Sequence, residues 1–180
     1  SLFGYDIIPC DLTLNSILQE IESSSFKEVL LKESIKEFED NYDYIIIDTA
    51  PTLGFSMIAP LTASDYVVLV TTPEAYSIIG IEQTLDVITS VKRQNSVLSN
   101  PKNTEILGIM ISKVETNTNV AKYFIEEVNK FAEKSNIKVF EDVVTKNIKI
   151  PETQALQKMI TEYDPLSTAS LAYFNIALSI

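Results

Sequence analysis

A chain of 180 residues with 46% hydrophobic side chains is long enough for one domain with a sizeable core. Its single cysteine, Cys10, excludes an intrachain disulfide, and the lack of any histidine excludes His-based triads and zinc sites. A net charge of −11 argues against a generic nucleic-acid binder, because phosphate contacts need clustered Lys and Arg.

The charge is uneven. Residues 1–90 hold 3 basic and 15 acidic side chains, whereas residues 91–180 hold 11 and 10, so any surface that faces a polyanion belongs to the second half. Apolar runs fall short of the roughly 18 to 20 residues a membrane span needs, and no basic-then-apolar leader opens the chain. A soluble, intracellular protein is expected.

In chain order, Tyr5 to Pro9 reads as a short strand, and Asp11 or Thr13 can cap a helix running to about Glu22. Phe26, Val29, Leu30, Ile35 and Phe38 follow at helical spacing. Ile45 to Ile47 is an unbroken β-branched run, the mark of a parallel strand covered on both faces, and Asp48 ends it. Phe55 to Ala63 predicts a short helix and Asp65 to Pro73 a second buried strand. Ser77 to Arg93 predicts a helix with Ile78, Ile81, Leu85, Ile88 and Val91 on one face, and residues 94–104 a loop.

Glu105 to Lys113 predicts a third apolar strand. Asn117 or Thr118 opens a helix to about Ser135, and Lys138 to Val144 is the next strand. Thr145 to Pro151 reads as a polar loop, Glu152 to Met159 as a short helix, and Ser167 to Ile180 as a terminal helix with Leu171, Phe174 and Leu178 inward. Strands alternating with helices mean an α/β fold: a mainly parallel sheet with helices on both faces, joined by right-handed crossovers, in a single domain over residues 1–180.

Asp48 is the first candidate for chemistry. In open α/β sheets ligands bind at the carboxyl ends of the strands, and here a carboxylate stands at such an end before a Pro and Gly turn. The alternative is that Asp48 only caps that turn.

The segment Tyr42 to Gly54 resembles the Walker B and switch II segment of the ParA/Soj and MinD family of deviant Walker A ATPases. Further resemblances follow in order: Asp65 to Glu74 with Ser77 to Gly80, Glu105 to Lys113, Lys146 to Glu152, and Ile160 to Ser167. The resemblance implies a P-loop NTPase of the SIMIBI type that binds ATP and Mg²⁺. It implies that Asp48 helps hold the metal through water and that Thr49, Ala50, Pro51 and Gly54 belong to the γ-phosphate switch. Lys113, Lys146, Asn147 and Pro151 become candidates for the base side of the nucleotide, and Lys146, Lys149 and Lys158 for nonspecific DNA contact. The implied function is plasmid or chromosome partition by a cytoplasmic, nucleoid-associated homodimer with a centromere-binding, ParB-type partner and no membrane.

One departure is large. A phosphate-binding loop needs glycines and a Lys, yet the chain holds only four glycines and no Gly-Lys pair. The expectation is therefore an N-terminally truncated form, the C-terminal portion of such an ATPase, inactive by itself. Three rivals stand beside it. One is a MinD-like membrane ATPase, although residues 167–180 hold no Lys or Arg. Another is a receiver domain with Asp48 as phosphoacceptor. The third is a degenerate scaffold that keeps the fold without hydrolysis.

Overall fold

The computed structural model describes residues 4–9, 17, 21, 27–49, 54–74, 76–97 and 104–180. The chain divides into two compact units, residues 1–64 with 91–101 and residues 65–90 with 102–180.

In the first unit, α1 (Lys27–Lys36) is followed by a single 3₁₀ turn, Glu39–Asn41, and by α2 (Phe55–Ala63). Glu28 in the first turn of α1 and Lys36 in its last complement the helix dipole, and α1 packs against α2. The Gly54 φ of 138° is open to glycine alone, and its carbonyl accepts the amides of Met57 and Ile58 to start α2. At the other end the Ser64 amide and hydroxyl both donate to the Pro60 carbonyl. Both stops are written in the sequence, so α2 has the bounds expected of it.

Two expected strands do not form. Residues 5–9 and 42–48 belong to no strand among the described residues, and Ile46 is 90% exposed. An apolar run is buried as a strand only when neighbours complete its ladder and cover its faces, and no described strand pairs with either run. The helix expected up to Glu22 lies almost wholly outside the described residues; Ile17 and Ile21 within it are helical.

The second unit is built on β1 (Tyr66–Thr71) and β2 (Glu105–Ile111), which pair in parallel from Tyr66↔Glu105 to Thr71↔Ile111, with a bulge between Val67 and Val68. Parallel neighbours need a crossover, and the segment between them contains α3, Ser77–Val97. α3 runs a turn beyond the expected Arg93, and Asn95 there is buried on the row set by Ile81, Ile88 and Val91.

Beyond β2, residues 138–145 make only two isolated parallel bridges, Ile109↔Val139 and Val114↔Thr145, rather than the expected strand. The Phe140 amide donates to the Ile109 carbonyl and the Val144 amide to that of Ile111, so four residues on one side span two on the other. That mismatch breaks the ladder.

Thr118 caps α4 (Asn119–Ser135) by accepting the Ala121 amide at 3.1 Å. Ala121, Phe124, Val128 and Ala132 form its buried stripe. Short helices α5 (Lys149–Ala155) and α6 (Ile160–Tyr163) precede α7 (Thr168–Leu178). α5 starts before the expected Glu152: the Asn147 side-chain Oδ1 accepts the Lys149 amide, and Pro151 falls in the first turn, where its missing N–H costs nothing.

The inward face of α7 differs from expectation. Ala169, Ser170, Ala172 and Ile176 are buried, joining Phe140 and Val144 in the core, while Phe174 is 58% and Leu178 72% exposed. Small residues let the helix approach the sheet closely, and the larger apolar side chains are left on the outer face.

Candidate functional site

Parallel strands end on the same edge of a sheet, and the loops leaving that edge are where an α/β fold collects polar groups. In the second unit a cavity of about 370 Å³ opens there. Thr72, Pro73 and Glu74 reach it from the end of β1, Lys113 and Glu115 from the end of β2, and Lys146 from just beyond the Val114↔Thr145 bridge. Thr118, Val120 and Ala121 close it with the first turn of α4.

Lys113 and Lys146 thus line one cavity. Lys113 sits in left-handed backbone (φ 54°), as do Asn117 (φ 74°) and Tyr76 (φ 71°) in the loops of the same edge. Non-glycine residues held there cost about 1–3 kcal/mol each and cluster at functional sites. Lys113 makes no ion pair among the described residues, and neither does Glu74. Lys146 does: its Nζ donates to Glu115 Oε1 at 2.5 Å. The hydrogen bond, and next the charge, of Lys146 hold the Glu115 carboxyl below the usual carboxylate range, and Glu115 in turn raises the Lys146 ammonium.

The other candidates are dispersed. Asn147 and Pro151 serve the start of α5. Lys149 donates to Asp164 Oδ2 at 2.5 Å, which raises its pKa, and Lys158 is exposed without an ion pair among the described residues. Asp48 and Thr49 are exposed in the first unit, with Asp48 held by no described cation. Ala50 and Pro51 lie outside the described residues.

Glu115 and Glu74 were not anticipated at the site, and Thr118 was anticipated only as the start of a helix. A signal for Glu115 existed: it stands two residues after Lys113, just past the end of an apolar strand.

An AAA domain family matches residues 2–104, more than half of the chain. Sporulation initiation inhibitor protein Soj of Bacillus subtilis is 32% identical over 177 residues, covering 97% of this chain and 66% of Soj. The chain belongs to the ParA/Soj family of ATPases. The family's chromosome partitioning protein ParA of Myxococcus xanthus is 29% identical over 170 residues, 94% of this chain and 57% of that protein. The chain therefore spans about half to two-thirds of the length of these relatives. Among solved structures, Cyanothece McdA in complex with ATP superposes with a TM-score of 0.78 at 20% identity, over 96% of this chain and 65% of that one. That likeness establishes the fold, the α/β architecture with a parallel sheet expected of ParA- and MinD-like P-loop NTPases. None of the described helices is long and apolar enough to cross a membrane.

Proposed function

We propose that the chain supplies the Walker B acid and the base side of the nucleotide site in a partition ATPase. The observation that supports this reading most directly is the cavity at the carboxyl edge of the sheet, with Lys113 and Lys146 on its rim, in a chain of the ParA/Soj family. Its volume lies within the roughly 300–1,000 Å³ of small-molecule sites, and its free Lys113 donors suit an acceptor-rich base.

In this reading Lys113 and Lys146 face the base of ATP, and Asn147 and Pro151 shape the adjoining loop. Asp48 would hold Mg²⁺ through water; its exposed carboxylate, engaged with no described cation, fits that role. Thr49 to Gly54 would sense the γ-phosphate. Bound Mg-ATP would clamp two protomers face to face, and Lys149 and Lys158 would then contact DNA without sequence preference. A ParB-type partner would stimulate release, with the protein cytoplasmic on the nucleoid. These 180 residues contain no Gly-Lys pair, so hydrolysis by them alone is not expected.

Calorimetric titration of Mg-ATP into this chain and into a form extended upstream through its natural start tests the reading, with Asp48→Asn in each. Binding by the extended form that Asp48→Asn weakens supports it. No binding in either form, or labelling of Asp48 by acetyl phosphate, overturns it in favour of a scaffold or a receiver.

A further inference from the structure

The Glu115–Lys146 pair joins residues 31 apart in the chain at 2.5 Å, and both side chains line the cavity. Neither is needed for folding: their side chains are 57% and 66% exposed, so the pair contributes little to stability. What it changes is the hydrogen-bonding character of the rim. A free carboxylate is an acceptor with two oxygens, and a partner offering two adjacent N–H donors fills both at once.

The two common purines differ at just this point. Guanine presents N1–H beside its 2-amino group, two parallel donors that match a carboxylate. Adenine presents one amino group beside the N1 lone pair, which a free carboxylate would repel. With Lys146 on Oε1, a two-donor edge must share that oxygen with the ammonium or displace it, and the Glu115 charge is balanced by a group that itself donates to ring nitrogens or oxygens.

We propose that the Glu115–Lys146 pair sets the purine preference of the cavity, admitting a 6-aminopurine by withholding the Glu115 carboxylate from the two-donor edge of a 2-amino-6-oxopurine. This rests on the cavity being the base site proposed above. Glu115 and Lys146 are then specificity residues, and Lys113 contributes to both purines alike.

The test is titration of adenosine and of guanosine into the chain, followed by NMR at the amides of Thr72, Lys113 and Ala121. Lys146→Met and Glu115→Gln are compared with the parent, and the methyl shifts of Val128 and Ile176 report that each variant is folded. The expected result is adenosine binding in the parent and a shift of the guanosine-to-adenosine ratio by about ten-fold toward guanosine in Lys146→Met. Glu115→Gln should show no such shift. An unchanged ratio in Lys146→Met, with adenosine still binding, overturns the proposal and leaves the base site standing. No response to either nucleoside, in this chain and equally in the form extended upstream, overturns both.

Discussion

A Cβ placed on Gly108 in β2 would stand 3.0 Å from the carbonyl oxygen of Lys138 and 3.1 Å from the ring of Phe140. The glycine is there for space and not for an unusual φ, because the irregular segment 138–145 runs beside β2 at this point and the obstructing oxygen is backbone. Gly108→Ala should therefore destabilise the fold by about 1–3 kcal/mol, and Gly108→Val by more. Gly80, in α3, has open space around its Cβ position. Gly80→Ala should instead stabilise by about 0.5–1 kcal/mol, the helix-propensity difference. Urea unfolding of both variants reads the contrast.

The face of α7 gives a second test. Ile176 is buried with Phe140 and Val144, while Leu178, two residues on, is mostly exposed. Ile176→Ala should cost about 2–5 kcal/mol and Leu178→Ala about 0.5 kcal/mol or less. Equal losses at both positions in thermal or urea unfolding would restore the expected face.

These two cases show what the sequence carried and what it withheld. Where local chemistry decides, the reading held: Gly54 and Ser64 bracket α2, Thr118 caps α4, and the apolar rows of β1 and β2 lie in the expected parallel strands. Where packing decides, it did not. Hydropathy selected Leu171, Phe174 and Leu178 for the core of α7, but close approach needs the small Ala169, Ser170 and Ala172. The apolar run Ile45 to Ile47 reads as a buried strand only if a neighbour completes it. Lys113 and Lys146 came from the family pattern alone; Glu115 carried only the signal of its place two residues after Lys113, and its pairing with Lys146, 31 residues on, is a product of the fold.

Asn136 closes α4 in the left-handed conformation (φ 53°), its amide donating to the Ala132 and Glu133 carbonyls. Glycine adopts that conformation without strain. Asn136→Gly should raise stability by a few tenths to about 1 kcal/mol, and Asn136→Ala should lower it by about 1 kcal/mol. Thermal unfolding followed by circular dichroism measures both.

Lys149 is proposed to contact DNA, yet its ammonium is held by Asp164. Contact with a phosphate must displace that carboxylate. Asp164→Asn should accordingly strengthen DNA retention and steepen its salt dependence, whereas Lys149→Ala should weaken retention and lower the slope of log affinity against log salt by about 1. Fluorescence anisotropy with labelled duplex over a salt series distinguishes these. Weaker retention in Asp164→Asn would mean that the ion pair positions the loop and that Lys149 touches no phosphate.

The pH response of the cavity follows from the Glu115–Lys146 pair. Glu115 is held below its ordinary range, first by the hydrogen bond from Lys146 and then by its charge, so the pair is present above the unfolded carboxyl value and is lost as pH falls through the lowered one. Lys146 is raised, so at the alkaline end the pair persists through the ordinary lysine range and is lost only as pH climbs past the raised value. Purine preference should therefore hold constant across neutral pH and relax only in acid or strong alkali. Carbon-13 NMR of the Glu115 carboxyl carbon checks the acid limb: Lys146→Met should return its midpoint upward to the range of an exposed glutamate. A midpoint that does not move would place the cause of the lowered value outside the pair, and would take with it the argument that Lys146 masks this carboxylate.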